Sequence, residues 1–103
     1  MSLLDLLFKS YKSDPLYKLE KICDYHFRNR TYLKQAFTHR SITSNPRNNY
    51  ERLEFLGDAV LQLVVSDYLF KTHLHLNEGT LTKYRTILVN GNYLSECANR
   101  LDL

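Results

Sequence analysis

The longest run of helical periodicity in the chain, from about Asn49 to Lys71, constrains the fold more than any other feature. Apolar residues recur there three and four positions apart, and no proline interrupts them. At about 100° per residue, one set of apolar side chains shares a face that is predicted to pack in the core. That set is Leu53, Leu56, Val60, Leu63 and Val64. Because other apolar residues lie around the rest of the helix, we expect burial on more than one side.

The remaining sequence also favours helices. The 103 residues include only three glycines and two prolines, and no stretch alternates with period two for long enough to predict a strand. A loop is predicted over Ser41–Asn49 and a connection over His73–Asn77. The other predicted helices are Leu3–Tyr11, Leu16–Tyr25, Thr31–Phe37, Glu78–Val89 and Tyr93–Leu101. Their predicted N-caps include Thr31 and Asn92, and their predicted inward residues include Leu33, Ala36, Phe37, Leu81, Tyr84 and Leu88. The prediction is a single all-α domain.

The composition is that of an ordinary globular protein, with 44% hydrophobic and 24% charged residues. A net charge of +3 is compatible with an acidic partner such as nucleic acid. The two cysteines, Cys23 and Cys97, lack the spacing of a zinc site and are predicted to be buried free thiols. No secretory signal is recognisable, and no segment approaches the roughly 18 apolar residues of a membrane span. A cytoplasmic protein without membrane contact is therefore expected.

A narrow polar stripe interrupts the apolar surface of the long helix. It consists of Glu51, Glu54, Asp58 and Gln62, which are three or four positions apart and therefore neighbours. Three acids so placed repel one another, and a hard divalent cation would relieve that repulsion. Gly57, between two of the acids, would allow an ion or another backbone to come close. Alternatively, the acids complement the helix macrodipole or form a solvated face.

The same segment closely resembles the signature motif of ribonuclease III. The matching residues run Asn49-Tyr50-Glu51-Arg52-Leu53-Glu54-Phe55-Leu56-Gly57-Asp58-Ala59-Val60-Leu61. Flanking matches are Leu33-Lys34-Gln35-Ala36-Phe37-Thr38-His39-Arg40-Ser41 upstream and Asn77-Glu78-Gly79-Thr80-Leu81-Thr82-Lys83-Tyr84-Arg85 downstream. The resemblance covers residues 16–103 and implies the helical endonuclease domain of that family, preceded by an N-terminal extension over residues 1–15.

The resemblance implies roles for the acids. Glu54 and Asp58 match two of the family's four catalytic acids, which coordinate Mg²⁺, with Mn²⁺ as a substitute. The ion would lower the pKa of a bound water and stabilise charge on the scissile phosphate. Glu51 matches a further acid of the motif and is either a third contributor to the metal site or a helix-start acid. Glu78 matches a secondary acid of the family, although a capping role in the first helical turn is slightly favoured.

The resemblance also implies partners. The family hydrolyses double-stranded RNA during processing of ribosomal, messenger and small RNAs, and it acts as a homodimer. Phe55 matches the aromatic that inserts into the second protomer, or else it is a core contact. Phosphate contacts are predicted from Arg40, Arg47, Lys83 and Arg85, each of which could instead be a solvated surface charge. His39 is interpreted as a local packing residue.

The chain departs from the family pattern in one respect. The family's second pair of acids and its double-stranded-RNA-binding domain have no counterpart within these 103 residues. We therefore expect a truncated nuclease domain that is inactive alone and that forms dimers or higher oligomers through exposed apolar surface. The competing interpretation is a non-catalytic ribonuclease III-like module for RNA binding or dimerisation.

Overall fold

The computed structural model describes residues 15–103 together with Leu3, and within that part of the chain it is helical and without strands. The helices are α1 (Pro15–Cys23), α2 (Arg30–Ala36), α3 (Glu51–Thr72), α4 (Glu78–Leu88) and α5 (Gly91–Arg100). The all-α prediction is confirmed. The helix predicted over Leu3–Tyr11, like most of the predicted N-terminal extension, lies outside the described residues except for Leu3. The chain divides into two compact units, Met1–Tyr50 and Glu51–Leu103.

Helix α1 has conventional ends. Pro15 occupies its first position, where a missing N–H costs nothing. At the other end Asp24 adopts a left-handed conformation with φ 51°. The N–H of Tyr25 donates to the Glu20 carbonyl at 3.1 Å, and that of Asp24 donates to the Lys21 carbonyl at 3.3 Å. This is the Schellman pattern, and Asp24 supplies the conformation that glycine usually provides.

The N-cap of α2 differs from the prediction. Asn29 caps the helix, because its side chain accepts the N–H of Thr31 at 3.0 Å, and Thr31 itself lies inside the first turn. Of the three residues predicted to face inward, Leu33 is buried, whereas Ala36 and Phe37 are exposed. Those two predictions are wrong because Ala36 and Phe37 lie at the end of a short helix that buries only Leu33.

In the second unit, α3 packs against α4 and α4 against α5. The buried residue of α3 is Leu69, which is only 3% exposed. The predicted core face of α3 is wrong, since Leu53 is half-buried and the other four members are exposed, Leu63 by 70%. Half-buried Leu61 and Val65 precede Leu69 at four-residue steps, so the less exposed face lies to one side of the predicted one.

Two asparagines fix the starts of α4 and α5. The side chain of Asn77 accepts the N–H of Thr80 at 2.9 Å, and that of Asn90 accepts the N–H of Asn92 at 2.9 Å. The predicted cap at Asn92 is therefore wrong, because Asn90 holds that position and α5 begins at Gly91. On α4, Leu81 and Leu88 are half-buried as expected, whereas Tyr84 is exposed, since it borders an open groove.

The cysteines are free, as predicted, but neither is buried: Cys23 is exposed and Cys97 half-buried. Both lie near the ends of short helices that pack few side chains. Within the described residues, none of the helices combines the length and hydropathy needed to cross a membrane.

Candidate metal and RNA site

Three acids of the predicted metal site lie on the first two turns of α3. Glu51 and Glu54 belong to its first turn and Asp58 follows one turn later. Side chains four residues apart on a helix have Cβ atoms about 5–6 Å apart. Helix geometry therefore places the Glu54 and Asp58 carboxylates side by side.

The environment separates Glu51 from the other two acids. Glu54 and Asp58 are exposed, and neither carboxylate makes a hydrogen bond or ion pair with any described residue. Glu51 is half-buried and already engaged with another group of the protein. Two carboxylates, Glu54 and Asp58, are thus available to an external cation.

Larger clusters of metal ligands do not occur in the described part of the chain. No group of three or more His, Cys, Asp or Glu side chains there could hold an ion together. Apart from the backbone of α3 itself, no atom of the described residues lies within 4 Å of the position that a Cβ of Gly57 would take. Space beside Glu54 and Asp58 is therefore open, and no contact with a described residue requires glycine at position 57.

Glu78 lies apart from these acids, at the first position of α4 and next to its cap Asn77. It borders a groove of about 510 Å³ between α3 and α4. The groove is lined by Leu63, Ser66, Asp67, Leu69, Phe70, Glu78, Leu81, Thr82 and Arg85. Its position suits a first-turn acid that complements the helix dipole.

The four basic residues predicted to contact RNA differ in their surroundings. Arg40, Arg47 and Lys83 are exposed, and their side chains have no hydrogen-bond or ion-pair partner among the described residues. The guanidinium of Arg85 is part-buried and donates to the Ser66 hydroxyl at 2.9 Å, which in turn donates to the Gln62 carbonyl at 2.6 Å. Arg85 therefore links α4 to α3, whereas the other three are free for a ligand.

Phe55, which follows Glu54 directly on α3, is 83% exposed. Leu56, Val60, Leu63 and Val64 on the same helix are exposed as well. An apolar surface of this kind is typical of a protein interface. His39 instead packs locally, as predicted: its ring stacks on Tyr50 with centroids 5.8 Å apart.

Comparison with known proteins identifies a family for this chain. Residues 29–103 match the family model described as Ribonuclease-III-like. The chain belongs to the ribonuclease III-like family. It is 51% identical over 88 residues to a Ribonuclease 3 of a Nitratiruptor species, a match that covers 85% of the chain and 38% of that relative. It is 46% identical over 90 residues to a Ribonuclease 3 of Campylobacter fetus, covering 87% of the chain and 40% of the relative.

A solved structure extends the comparison to the fold. The nuclease domain of ribonuclease III from Campylobacter jejuni superposes with a TM-score of 0.78 at 45% identity. The match covers 84% of this chain and 59% of the solved one. That structure was described for flexibility in a region involved in dimer formation. This ribonuclease III-like chain thus spans about two-fifths of the curated relatives it matches.

The structural role of a further acid, Glu20, was missed in the sequence analysis of this ribonuclease III-like chain. Glu20 on α1 is only 4% exposed and accepts hydrogen bonds from the Phe27 N–H at 2.9 Å and from the Arg30 guanidinium. The His26 ring nitrogen Nδ1 lies 2.9 Å from the same carboxylate. Burial by itself would raise the pKa of the Glu20 carboxyl, but these hydrogen bonds and charges outweigh it, so the pKa lies below its ordinary value.

Asn49 was also missed as a structural residue, although it opens the signature motif. It is fully buried, and its side-chain amide donates to the Thr43 carbonyl at 3.0 Å. For Glu20 the available signal was an acid close in sequence to the apolar residues Leu19 and Ile22, with cationic residues within ten positions. For Asn49 the sequence offers no comparable signal, because no periodic pattern marks it as buried.

Proposed function

We propose that this chain contributes Glu54 and Asp58 to a Mg²⁺-dependent endoribonuclease that hydrolyses phosphodiester bonds in double-stranded RNA. The observation that carries the proposal is an exposed pair of carboxylates, one helical turn apart, that form no ion pair with any described residue. Family membership supports the same chemistry. The proposal concerns the whole protein, because the chain spans only 38% of the Nitratiruptor relative.

The donor set fits a hard cation. Mg²⁺ prefers oxygen ligands and is commonly held by one or two carboxylates, with waters and substrate phosphate completing its shell. Glu54 and Asp58 supply two such carboxylates, and Mn²⁺ would accept the same donors. When bound, the ion supplies Lewis acidity toward the phosphate and a more acidic water. The role of the two side chains is to hold it on a rigid helix, while Glu51 supports them from the start of α3.

Three basic residues support duplex binding. We assign Arg40, Arg47 and Lys83 to phosphate contacts, because their side chains form no ion pair with a described residue that RNA binding would have to break. Phosphates and 2′-hydroxyls are the accessible features of A-form RNA, whose base edges lie in a deep, narrow major groove. Arg85 supports the groove between α3 and α4 through Ser66 and makes at most a secondary contact.

A homodimer is the proposed assembly, with Phe55 as its anchor. Large aromatic side chains that are exposed in the monomer are frequent energetic centres of interfaces. Dimer formation is described for the Campylobacter jejuni nuclease domain, and the exposure of Phe55 is consistent with the same behaviour here. A cytoplasmic location is proposed with it, since the substrates are cellular RNAs.

Metal binding and cleavage can be tested separately. Mn²⁺ titration, followed by paramagnetic broadening of backbone amide resonances, should broaden the residues around Glu54 and Asp58. The double variant Glu54→Gln, Asp58→Asn should lose this effect. Glu96→Gln removes an exposed acid from α5 and serves as the matched control, which should behave like the native chain.

Cleavage of a long RNA duplex in Mg²⁺ then distinguishes enzyme from binder. The 103-residue chain should cut slowly or not at all, because it offers two acids where the family uses four. A longer protein that includes the further acids should cut, and Glu54→Gln, Asp58→Asn should abolish its activity. If the longer protein binds duplex but never cuts, the chain is part of a non-catalytic RNA-binding module.

A further inference from the structure

The segment between α2 and α3, residues 38–50, closes on itself; we call it the 38–50 loop. The N–H of Tyr50 donates to the Thr38 carbonyl at 3.0 Å, which joins its two ends. The Thr38 hydroxyl donates to the Lys34 carbonyl at 2.7 Å, which attaches the loop to the last turn of α2. The loop ends are therefore fixed independently of what lies between them.

Arg40 lies in the first of two turns within the loop. The N–H of Ile42 donates to the His39 carbonyl at 3.0 Å, closing this turn around Arg40 and Ser41. The N–H of Ser41 also donates to the His39 Nδ1 atom at 3.1 Å, while the His39 ring stacks on Tyr50. The backbone that carries Arg40 is therefore held on both sides, although its side chain is exposed.

Arg47 lies in the second turn. The N–H of Asn48 donates to the Asn45 carbonyl at 2.9 Å, and the N–H of Arg47 donates to the Asn45 side chain at 3.0 Å. This combination is a turn with a side-chain mimic of the backbone bond. The guanidinium of Arg47 remains exposed and free of partners among the described residues.

Asn49 connects the two turns. Its amide Nδ2 donates to the carbonyl of Thr43, which follows the first turn, while Asn49 itself follows the second. Among the described residues it is the largest fully buried side chain, at 0% exposure. A buried amide must be hydrogen-bonded to be tolerated. The bond to Thr43 sets the separation of the two turns and hence that of Arg40 and Arg47.

We infer that Asn49 is a positioning residue for RNA binding, which presents Arg40 and Arg47 to duplex phosphates from a preorganised loop. The inference rests on the proposed function and adds a residue that does not itself touch the ligand. Ordering a loop at the moment of binding lowers affinity. Because the 38–50 loop is ordered beforehand, its arginines meet the regularly spaced phosphates of A-form RNA without that cost.

Asn49→Asp tests this role, with Asn48→Asp as the control. Both variants change the local charge equally, but Asn48 is exposed and only its backbone bonds within the loop. Asn49→Asp removes the donor to Thr43. We expect it to weaken binding of a short blunt RNA duplex about three- to tenfold more than Asn48→Asp does. Native binding should weaken with salt, with a slope that falls by about one for each arginine replaced.

A double-mutant cycle provides the decisive comparison. The pair Arg40→Ala, Arg47→Ala should cost several-fold in affinity in the native background and clearly less in Asn49→Asp. Amide hydrogen exchange of Ser41, Asn48 and Tyr50 should accelerate in Asn49→Asp, while that of Leu33 in α2 stays slow. If Leu33 also exchanges faster, the uncharged Asn49→Ser replaces Asn49→Asp in the same cycle.

The results separate two failures. If the native chain shows no salt-dependent duplex binding, the proposed RNA contact is wrong, and the positioning role with it. If binding is salt-dependent but Asn49→Asp and Asn48→Asp weaken it equally, only the positioning role is overturned. An arginine effect of the same size in both backgrounds also overturns it.

Discussion

Two kinds of acid coexist in this chain, and their surroundings distinguish them. Glu20 is buried and receives a backbone N–H and a guanidinium, so its charge is already satisfied within the protein. Glu54 and Asp58 are exposed and have no partner among the described residues. A carboxylate with its own donors stabilises the fold, whereas a pair without them can accept a ligand.

Glu20→Gln should lower the stability of the first unit and remove part of its pH dependence. The folded pKa of Glu20 is lowered, so its stabilisation is fully present above the ordinary value of 4.5 and is lost as pH falls through the folded pKa. Thermal unfolding of the native chain should therefore fall in temperature on acidification below about pH 4.5. Glu20→Gln should unfold at a lower temperature at neutral pH and lose less on acidification.

Glu96→Gln is the control for that measurement, since Glu96 is exposed and unpaired among the described residues. It should leave the unfolding temperature and its pH profile close to those of the native chain. Equal behaviour of the Glu20 and Glu96 variants would contradict a structural role for the Glu20 hydrogen bonds.

At the scale of whole elements, periodicity predicted where the helices lie in the sequence better than it predicted which of their faces contact other helices. The start of α3 and the end of α4 differ from the prediction by one or two residues, because apolar spacing marks the extent of a helix well. The spacing of Leu56, Val60 and Leu63 also marked a real apolar face correctly. It could not show whether another element covers that face, because periodicity within one helix contains no information about its neighbours.

The caps show a second limit of sequence reasoning. Thr31 and Asn92 are both of residue types that commonly cap helices, and each lies two residues from the true cap. The choice depends on which residue takes the extended backbone conformation just before the helix. That conformation depends on the incoming chain, so residue type alone could not decide it.

Gly57→Ala tests whether Gly57 is needed for packing within this chain or for the close approach of a ligand. A Cβ there meets nothing within 4 Å, so alanine should stabilise the isolated chain by about 0.5–1 kcal/mol through higher helix propensity. Urea unfolding should show this gain. Mn²⁺ broadening near Asp58, or self-association, should weaken if an ion shell or a second backbone comes close to position 57.

A loss of stability in Gly57→Ala would contradict this picture, because it would require a close neighbour that the described residues do not supply. An unchanged affinity for metal together with unchanged association would leave the glycine without a functional role. The gain in stability and a loss of either interaction are thus independent readouts of the same substitution.

At the scale of the whole molecule, many large apolar side chains of the described residues are exposed. Phe55, Leu63 and Phe70 are all more than two-thirds exposed, and few of the described residues are buried. Such a surface favours association. Unspecific apolar association would depend on all three residues. A specific dimer would instead depend mainly on the one side chain that anchors it.

Phe55→Asp and Phe70→Asp distinguish these cases, since both replace an exposed phenylalanine of α3 by the same charged residue. We expect Phe55→Asp to raise the dimer dissociation constant tenfold or more in sedimentation experiments, because an aromatic anchor is typically worth about 2 kcal/mol or more. Phe70→Asp should have a much smaller effect. Equal losses would indicate unspecific apolar association, and no loss in either variant would place the interface away from Phe55, so that α3 would serve the metal site alone.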